Sequence, residues 1–299
     1  DANKAGTQES KNCTIIFTEG DSAKTMAISG LAEVGRDYYG VFPLRGKILN
    51  VRDAATAQIM NCVVLNDIKQ IIGLQNNIDY KKQYEKTGIW PLRYGKVMIM
   101  TDQDSDGSHI KGLMMNMFDS MWKSLLDIGF ITSMVTPIVK GFKGSNEKVF
   151  YTLQDYDKWK DTDAAKGYRI KYYKGLGTST TKEAKEYFRK LKIITYNPIT
   201  PESVVNTEAV VNGGGGEQEE NIDEKPKETV PVNRLDLAFN KKRSNDRKAW
   251  LMDYDKSKYP DFNKKDMSFT EFVDEELIHF SNEDNDRSIP NLMDGLKPS

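Results

Sequence analysis

Short apolar runs alternate with longer amphipathic stretches over residues 13–200. The runs are rich in β-branched and aromatic residues, which is typical of strands, and they lie at 13–18, 38–44, 96–101 and 168–174. Apolar side chains at helical spacing predict helices at 22–35, 53–74, 107–129 and 181–191. The run at 96–101 is apolar enough for burial on both faces. The alternation predicts an α/β fold with a mostly parallel central sheet and flanking helices.

The two ends of the chain and one internal segment depart from this alternation. Residues 1–11 are polar and indicate a tail, while residues 206–231 combine a four-glycine run with many acids, typical of a flexible insertion. Helical spacing returns at 245–254 and 268–280 and predicts a helical C-terminal segment. The predicted organisation is therefore a tail, one α/β domain over 12–254 that carries the insertion, and a connecting segment over 255–299.

Acidic residues follow two of the predicted strands. Asp102, Asp104 and Asp106 come directly after the run at 96–101, and Glu19 follows the run at 13–18. Because ligands bind at the carboxyl edge of a parallel sheet, we expect these four carboxylates to gather there. Clustered hard oxygens suit Mg²⁺ or Ca²⁺, and Mg²⁺ commonly completes its shell with phosphate oxygens. The acids therefore predict a metal site that acts on a phosphoester.

Two other interpretations of the acids are open. The first is a solvated acidic turn without a ligand, which would not explain why a second acid is expected at the same edge of the sheet. The second is an EF-hand calcium loop, since the residues "DQDSDG" match the first six positions of such a loop. The twelfth position of the loop is normally glutamate, but it is Leu113 here. The element before the loop is also a predicted strand rather than a helix, which disfavours the EF-hand.

Two glycine-containing loops also point to a phosphate partner. Arg45 and Lys47 flank a glycine directly after the second strand. The loop "YYKGLGTST" follows a later strand and supplies Lys174, Gly175, Gly177 and Thr178. Glycine lets the backbone approach a ligand, while cationic side chains, hydroxyls and amides contact phosphates without reading sequence.

Composition narrows the possible classes of protein. Net charge is −1 over 299 residues, so no global basic field indicates a nucleic-acid partner. No apolar run reaches the roughly 18 residues of a membrane span, so no membrane partner is predicted. Two cysteines form no disulfide framework, and their apolar settings suit buried thiols in a reducing, intracellular compartment. Two histidines are too few and too distant in sequence to indicate a zinc site.

Several longer motifs resemble one protein family. "EGDSA", "PLRGKILNV", "TDQDSDGSHIKGL" and "KYYKGLGTSTTKEAKEYF" occur in the order seen in type IIA DNA topoisomerases, in the eukaryotic topoisomerase II form rather than gyrase. "ELIHFSNEDNDRSIPNLMDGLKP" resembles the stretch before the winged-helix domain of that family. The resemblance implies a TOPRIM fold for 12–254 and an incomplete start of the winged-helix, or DNA-gate, region within 255–299.

The resemblance also implies roles for the acids. Glu19 is similar to the glutamate that ligates one Mg²⁺ and serves as general acid or base at the departing 3′ oxygen. Asp102 resembles the aspartate shared by two metal positions, Asp104 belongs to the second position, and Asp106 supports the cluster. Lys47, Asn50, Arg247 and Lys248 match family positions that contact DNA.

The implied activity belongs to an ATP-dependent isomerase that cuts both strands of one DNA duplex, passes another duplex through and reseals the break. The chain is expected to lack both the catalytic tyrosine and the ATP-binding domain, and so to be inactive alone. It is expected to be monomeric because the principal dimer contacts of the family lie beyond Ser299, whereas the full-length protein would be a homodimer acting on double-stranded DNA. The location would be the nucleus in a eukaryote, or host-cell replication sites for a large DNA virus.

Two alternatives remain open besides the topoisomerase. A stand-alone TOPRIM nuclease or primase-like enzyme is disfavoured by the "GLGTST" loop and the "DGLKP" ending. A metal-free interaction scaffold would leave the four acids unexplained.

Overall fold

The computed structural model describes residues 1–173, 175–198, 233–255 and 257–283. The predicted insertion at 206–231 and the "DGLKP" ending lie outside these residues, as does Lys174. Within the described ranges, no helix combines the length and the apolarity that crossing a membrane requires.

A central sheet of six strands forms the middle layer. The strands are β1 (Thr14–Glu19), β2 (Tyr39–Leu44), β3 (Lys96–Met100), β4 (Ile131–Met134), β8 (Ile193–Asn197) and β9 (Asp266–Ser268). Their order across the sheet is β2-β1-β3-β4-β8-β9. The first four strands are parallel, and β8 pairs antiparallel with β4. This arrangement confirms the predicted α/β class with a mostly parallel sheet.

Helices cover both faces of the central sheet. They are α1 (Gly20–Val34), α2 (Thr56–Asn61), α3 (Val63–Ile72), α4 (Tyr80–Thr87), α5 (Ser105–Met121), α6 (Lys123–Leu126) and α8 (Thr181–Arg189). Alternate residues of one strand reach opposite layers: Ile15 and Phe17 pack in the larger core, and Ile16 packs with residues of α1 and α8. Burial on both faces explains why β1 and β3 are nearly continuous apolar runs.

A second, smaller sheet is antiparallel and contains β5 (Val139–Lys143), β6 (Asn146–Phe150) and β7 (Arg169–Tyr172). Helix α7 (Leu153–Lys160) lies between β6 and β7 along the chain. The strand predicted at 168–174 is β7 and belongs here rather than to the central sheet. The C-terminal helices are α9 (Arg234–Phe239), α10 (Ser244–Met252), α11 (Phe269–Glu271), a π-helical turn (Phe272–Leu277) and α12 (Ile278–Glu283).

Three local predictions differ from the structure. The helix predicted at 53–74 divides at Cys62, which is extended (ψ 105°), because α3 buries Leu65, Ile68 and Ile72 whereas α2 buries none of its residues. Cys62 is consequently only half-buried, while Cys13 is fully buried. The helix predicted at 107–129 ends at Met121, where the chain turns to bury Trp122.

The segment 1–11, predicted as a polar tail, instead packs against the domain. Ala2 is buried, and its backbone N–H donates to the Tyr94 hydroxyl at 3.0 Å. Backbone N–H groups of Asn3 and Lys4 donate to carbonyls that follow α1. In these three hydrogen bonds the donor from the segment is a backbone N–H, which the polarity of the side chains does not reveal.

Candidate active site at the carboxyl edge of the central sheet

Glu19 is the last residue of β1 and stands at the carboxyl edge of the central sheet. Gly20 follows with φ +71°, a conformation that glycine adopts without strain and that turns the strand directly into α1. The Glu19 carboxylate is half-buried and accepts a long hydrogen bond, 3.4 Å, from the backbone N–H of Asp102. The ends of the two adjacent parallel strands thus bring their acids together, as predicted from the sequence.

Asp102 follows β3 and contacts the glycine loop that includes Gly175 and Gly177. Its Oδ1 accepts a hydrogen bond of 2.7 Å from the backbone N–H of Leu176. A Cβ atom on Gly175 would lie 2.4 Å from Asp102 Oδ2, so the loop can approach the carboxylate only because residue 175 is glycine. Thr178 is exposed, and its hydroxyl donates to the Gly175 carbonyl at 2.7 Å.

Asp104 and Asp106 lie at the start of α5. Asp104 is exposed and caps the helix, because its Oδ1 accepts from the backbone N–H of Gly107 at 2.8 Å. Asp106 Oδ1 lies 2.9 Å from Lys47 Nζ, with both side chains about 40% exposed. This ion pair joins the loop after β2 to the acidic motif.

Burial makes the inner two carboxylates hard to ionise. It raises the pKa of Glu19 to about 7, and the negative charge of Asp104 acts in the same direction. Burial also raises the pKa of Asp102, although the hydrogen bond from Leu176 opposes that rise. A nearby positive charge would relieve both groups.

The donor set suits a hard cation by its chemistry, since all four side chains offer carboxylate oxygens. In the described part of the chain, however, no group of three or more His, Cys, Asp or Glu side chains is arranged to hold a metal ion. The reason is visible in the contacts: Asp104 caps α5 and Asp106 pairs with Lys47. Glu19 and Asp102 are therefore the first candidates for ligands, and the outer acids would have to exchange partners to join them.

The predicted DNA-contacting residues fall into two groups. Arg45, Lys47 and Lys248 are exposed. Asn50 is half-buried and uses its amide inside the protein, donating to the Phe239 carbonyl at 2.8 Å and accepting from Asn116 at 2.9 Å.

Arg247 differs most from its prediction. Its side chain is buried, and its guanidinium donates to the carbonyls of Leu237 and Asn240. This burial argues against the DNA contact predicted for Arg247, because little of the guanidinium is left for a phosphate.

Sequence reasoning missed one element of the site. Arg52, six residues after Gly46, contacts Asn116 and Asp119 on α5 and Asp236 on α9. No spacing in the sequence indicates these contacts, since the partners lie 64 to 184 positions away along the chain. The only sequence signal is an arginine directly after a loop predicted to bind phosphate.

Comparisons with known proteins agree with this geometry. Residues 14–132 match the Toprim domain, and residues 134–206 and 218–285 match the C-terminal associated domain of TOPRIM. The chain is 47% identical over 299 residues to DNA topoisomerase 2 of Plasmodium falciparum (isolate K1 / Thailand), covering all of this chain and 19% of that protein. It is 46% identical over 314 residues to DNA topoisomerase 2-beta of Homo sapiens, covering 100% of this chain and 17% of that protein.

A solved structure is also similar. The Plasmodium falciparum topoisomerase II DNA-binding, cleavage and re-ligation domain superposes with a TM-score of 0.78 at 44% identity, over 96% of this chain and 35% of that one. The chain spans about a fifth of the length of its curated relatives. The resemblance inferred from the motifs is confirmed, and the chain belongs to the type II DNA topoisomerases, of which it forms the Toprim region.

Proposed function

We propose that this chain forms the metal-holding half of the DNA cleavage and religation site of a type II topoisomerase that changes DNA topology by transient double-strand breakage. The observation that carries the proposal is the meeting of Glu19, Asp102 and the Gly175–Leu176 loop at one sheet edge, with Lys47 paired to the same acidic motif. Phosphate chemistry needs both parts of this arrangement, oxygen ligands for a cation and donors for the DNA backbone.

The acids would hold Mg²⁺ at two positions, Glu19 and Asp102 at the first, Asp102 and Asp104 at the second, with Asp106 in support. When bound, Mg²⁺ supplies positive charge against the charge that develops on the phosphate oxygens. Glu19 would exchange a proton with the departing 3′ oxygen, and its half-buried place beside a backbone N–H keeps the carboxyl group oriented. Such proton transfer typically contributes about 10² to 10⁴-fold to a rate.

Double-stranded DNA would lie along the exposed cationic and glycine loops. Arg45, Lys47, Lys248, Thr178 and the loop containing Lys174 would contact the phosphate backbone, which carries most of the affinity of proteins for DNA. Asn50 and Arg247, whose polar groups are used internally, would hold the surface in shape.

Other functions would belong to other parts of a longer protein, because the chain covers about a fifth of its relatives. These functions are the nucleophilic attack by a tyrosine, the hydrolysis of ATP by a separate domain and the formation of a homodimer. A nuclear location would follow for a eukaryotic source.

A magnesium titration by calorimetry, with and without a short DNA duplex, tests the metal-holding role. Saturable binding that tightens with the duplex is expected, because phosphate oxygens complete the metal shell. The double variant Glu19→Gln, Asp102→Asn should lose this binding. The control variant is Glu33→Gln, since Glu33 is an acid of helix α1, which follows Glu19 along the chain, but it pairs with Arg189. Unchanged binding in the double variant would show that the metal site lies elsewhere.

A further inference from the structure

The loop after β2 begins with exposed residues and ends inside the protein. Arg45, Gly46 and Lys47 are exposed, whereas residues 48–54 are at least half-buried. Gly46 has φ +85°, so the exposed part turns sharply before it re-enters the protein. What holds the end of this loop decides where Lys47 stands relative to the acids.

Arg52 makes three charged or polar contacts at this end. Its Nε donates to Asn116 Oδ1 at 2.8 Å, Nη1 to Asp236 Oδ1 at 2.9 Å and Nη2 to Asp119 Oδ2 at 2.5 Å. The Arg52 and Asp119 side chains are 16% and 9% exposed. These contacts are therefore partly shielded from solvent and worth more than a surface ion pair.

The three acceptors belong to two elements with different roles. Asn116 and Asp119 lie on α5, whose first turn carries Asp106, the partner of Lys47. Asp236 lies on α9, which precedes the exposed Lys248 on α10. A planar guanidinium can serve all three acceptors at once, whereas a lysine ammonium is a point charge without that fork.

Neighbouring contacts fasten the same junction. Asn116 Nδ2 donates to Asn50 Oδ1 at 2.9 Å, so one amide side chain bridges Asn50 and Arg52. The backbone N–H of Lys241 donates to Asp53 Oδ2 at 2.6 Å. The loop after β2, the acidic helix α5 and the segment from residue 233 thus meet around the Arg52 guanidinium.

We propose that Arg52 is a positioning residue for DNA binding, which fixes the Arg45–Lys47 loop against α5 and α9 without itself contacting DNA. The proposal rests on the proposed function, because it presumes that this loop binds the phosphate backbone. Removal of the guanidinium takes away the cation that Asp119 and Asp236 share and leaves Asp236 with Arg243, so the end of the loop loosens from α5 and Lys47 leaves its place beside Asp106.

Binding of a fluorescently labelled duplex to the 299-residue chain, measured by anisotropy at several salt concentrations, provides the first test. Arg52→Gln should weaken binding equally for every duplex sequence and reduce the slope of log affinity against log salt concentration by about 1, as the loss of a phosphate contact does. Arg52→Lys should restore little of this, because charge without the fork does not rebuild the junction. Arg189→Gln is the matched control, since Arg189 is an exposed arginine paired with Glu33.

A double-mutant cycle separates positioning from direct contact. In a background of Arg45→Ala with Lys47→Ala, Arg52→Gln should cause no further loss of affinity, because the groups that Arg52 positions are gone. A loss of the same size in both backgrounds would mean that Arg52 contacts DNA itself, and the proposal would be wrong.

Tryptic cleavage without DNA gives an independent reading. Mass spectrometry should show faster cleavage after Arg45 and Lys47 in Arg52→Gln than in the wild-type chain. Should Arg52→Gln melt below the assay temperature, Asp236→Asn takes its place and should show the same acceleration. If wild type binds duplex while these variants match it in affinity and cleavage rate, the inference fails; if wild type binds no duplex, the proposed function fails.

Discussion

The two sheets of this protein show how strand direction separates chemistry from stability. In the central sheet, β1 and β3 run parallel, so Glu19 and Asp102 leave it at the same edge. In the small sheet, β5 and β6 run antiparallel around a tight turn at Gly144. Its loops leave from opposite edges, and its interior is an aromatic cluster of Phe150, Tyr156 and Trp159.

The energetic consequences of this difference are opposite. The central edge collects carboxylates whose mutual repulsion opposes folding, and a nearby positive charge would relieve it. The small sheet collects apolar rings, which stabilise the fold directly through burial. We therefore expect substitutions at the central edge to change activity with little loss of stability, and substitutions in the small sheet to do the reverse.

The largest effect is expected from Glu19→Gln in a full-length enzyme that contains this chain. Plasmid cleavage should fall by about 10² to 10⁴-fold, the usual contribution of a positioned acid or base, while DNA binding survives through the cationic contacts. Asp102→Asn should act likewise and raise the Mg²⁺ concentration required, while keeping an oxygen to accept from Leu176.

Melting curves in EDTA complete that test. Each variant removes one negative charge from a repelling group, so it should melt at or above the wild-type temperature. Normal cleavage, or a marked loss of stability in EDTA, would mean that the acids form a structural turn.

The second prediction concerns a buried ion pair in the central region, where charged side chains are expected to stabilise the fold. Lys111 Nζ lies 2.6 Å from Glu276 Oε1, with side chains 1% and 0% exposed. Lys111→Met should cost about 3–5 kcal/mol in the free energy of unfolding, because it strands a buried carboxylate. Urea denaturation measures this, and Lys111→Met with Glu276→Gln should recover part of the loss. A cost below about 1 kcal/mol would show that water reaches the pair.

The third prediction concerns the small sheet. Phe150 is buried against Tyr156 and Trp159, and Phe150→Ala should cost roughly 3 kcal/mol, the low end for such truncations, since the cluster is small. Below the melting temperature, duplex affinity should equal that of wild type. Leu153→Ala, at an exposed neighbouring position, is the control. A change in duplex affinity would connect the small sheet to the DNA surface and weaken the proposed division.

The smallest expected effect is a pH dependence of stability that arises at Glu183, where helix α8 meets strand β7 of the small sheet. Glu183 lies in the first turn of α8. Burial alone would raise its pKa, but hydrogen bonds from Lys171, Tyr173 and Thr180 outweigh burial and lower the pKa to about 2. Because the folded-state pKa lies below the ordinary 4.5, the stabilisation is complete above about pH 4.5 and disappears as pH falls toward 2.

Thermal melting of wild type and Glu183→Gln should therefore differ most near pH 6 and converge only below about pH 2. Glu85→Gln, at an exposed position of α4, should follow wild type throughout. A difference that persists at the acid end would indicate that the glutamine variant disturbs packing rather than charge.

Local features of this protein were readable from the sequence alone. Strands β1, β2 and β3 lie where short apolar runs predict them, because burial on a sheet demands such residues. Capping boxes form at Thr180 with Glu183 and at Ser268 with Glu271, and a sequence pattern can indicate them because their hydrogen bonds join residues three positions apart. The motifs also sufficed to identify the family, because they are long and keep a fixed order.

The parallel strand order needed one further rule to bring Glu19 near Asp102. Parallel strands in such folds place their carboxyl ends at one edge, and this rule predicted the meeting of the acids. The rule does not say how the side chains are used, and the structure shows Asp104 capping α5 and Asp106 paired with Lys47.

Only the tertiary structure decided the remaining features. The break at Cys62, the packing of Ala2 against Tyr94 and the burial of Arg247 depend on which surfaces meet after folding. The contacts of Arg52 span 64 to 184 positions of the chain. Periodicity and spacing describe only residues that are near each other along the chain, whereas the hydrogen-bond partners of a guanidinium are the groups that folding brings close to it.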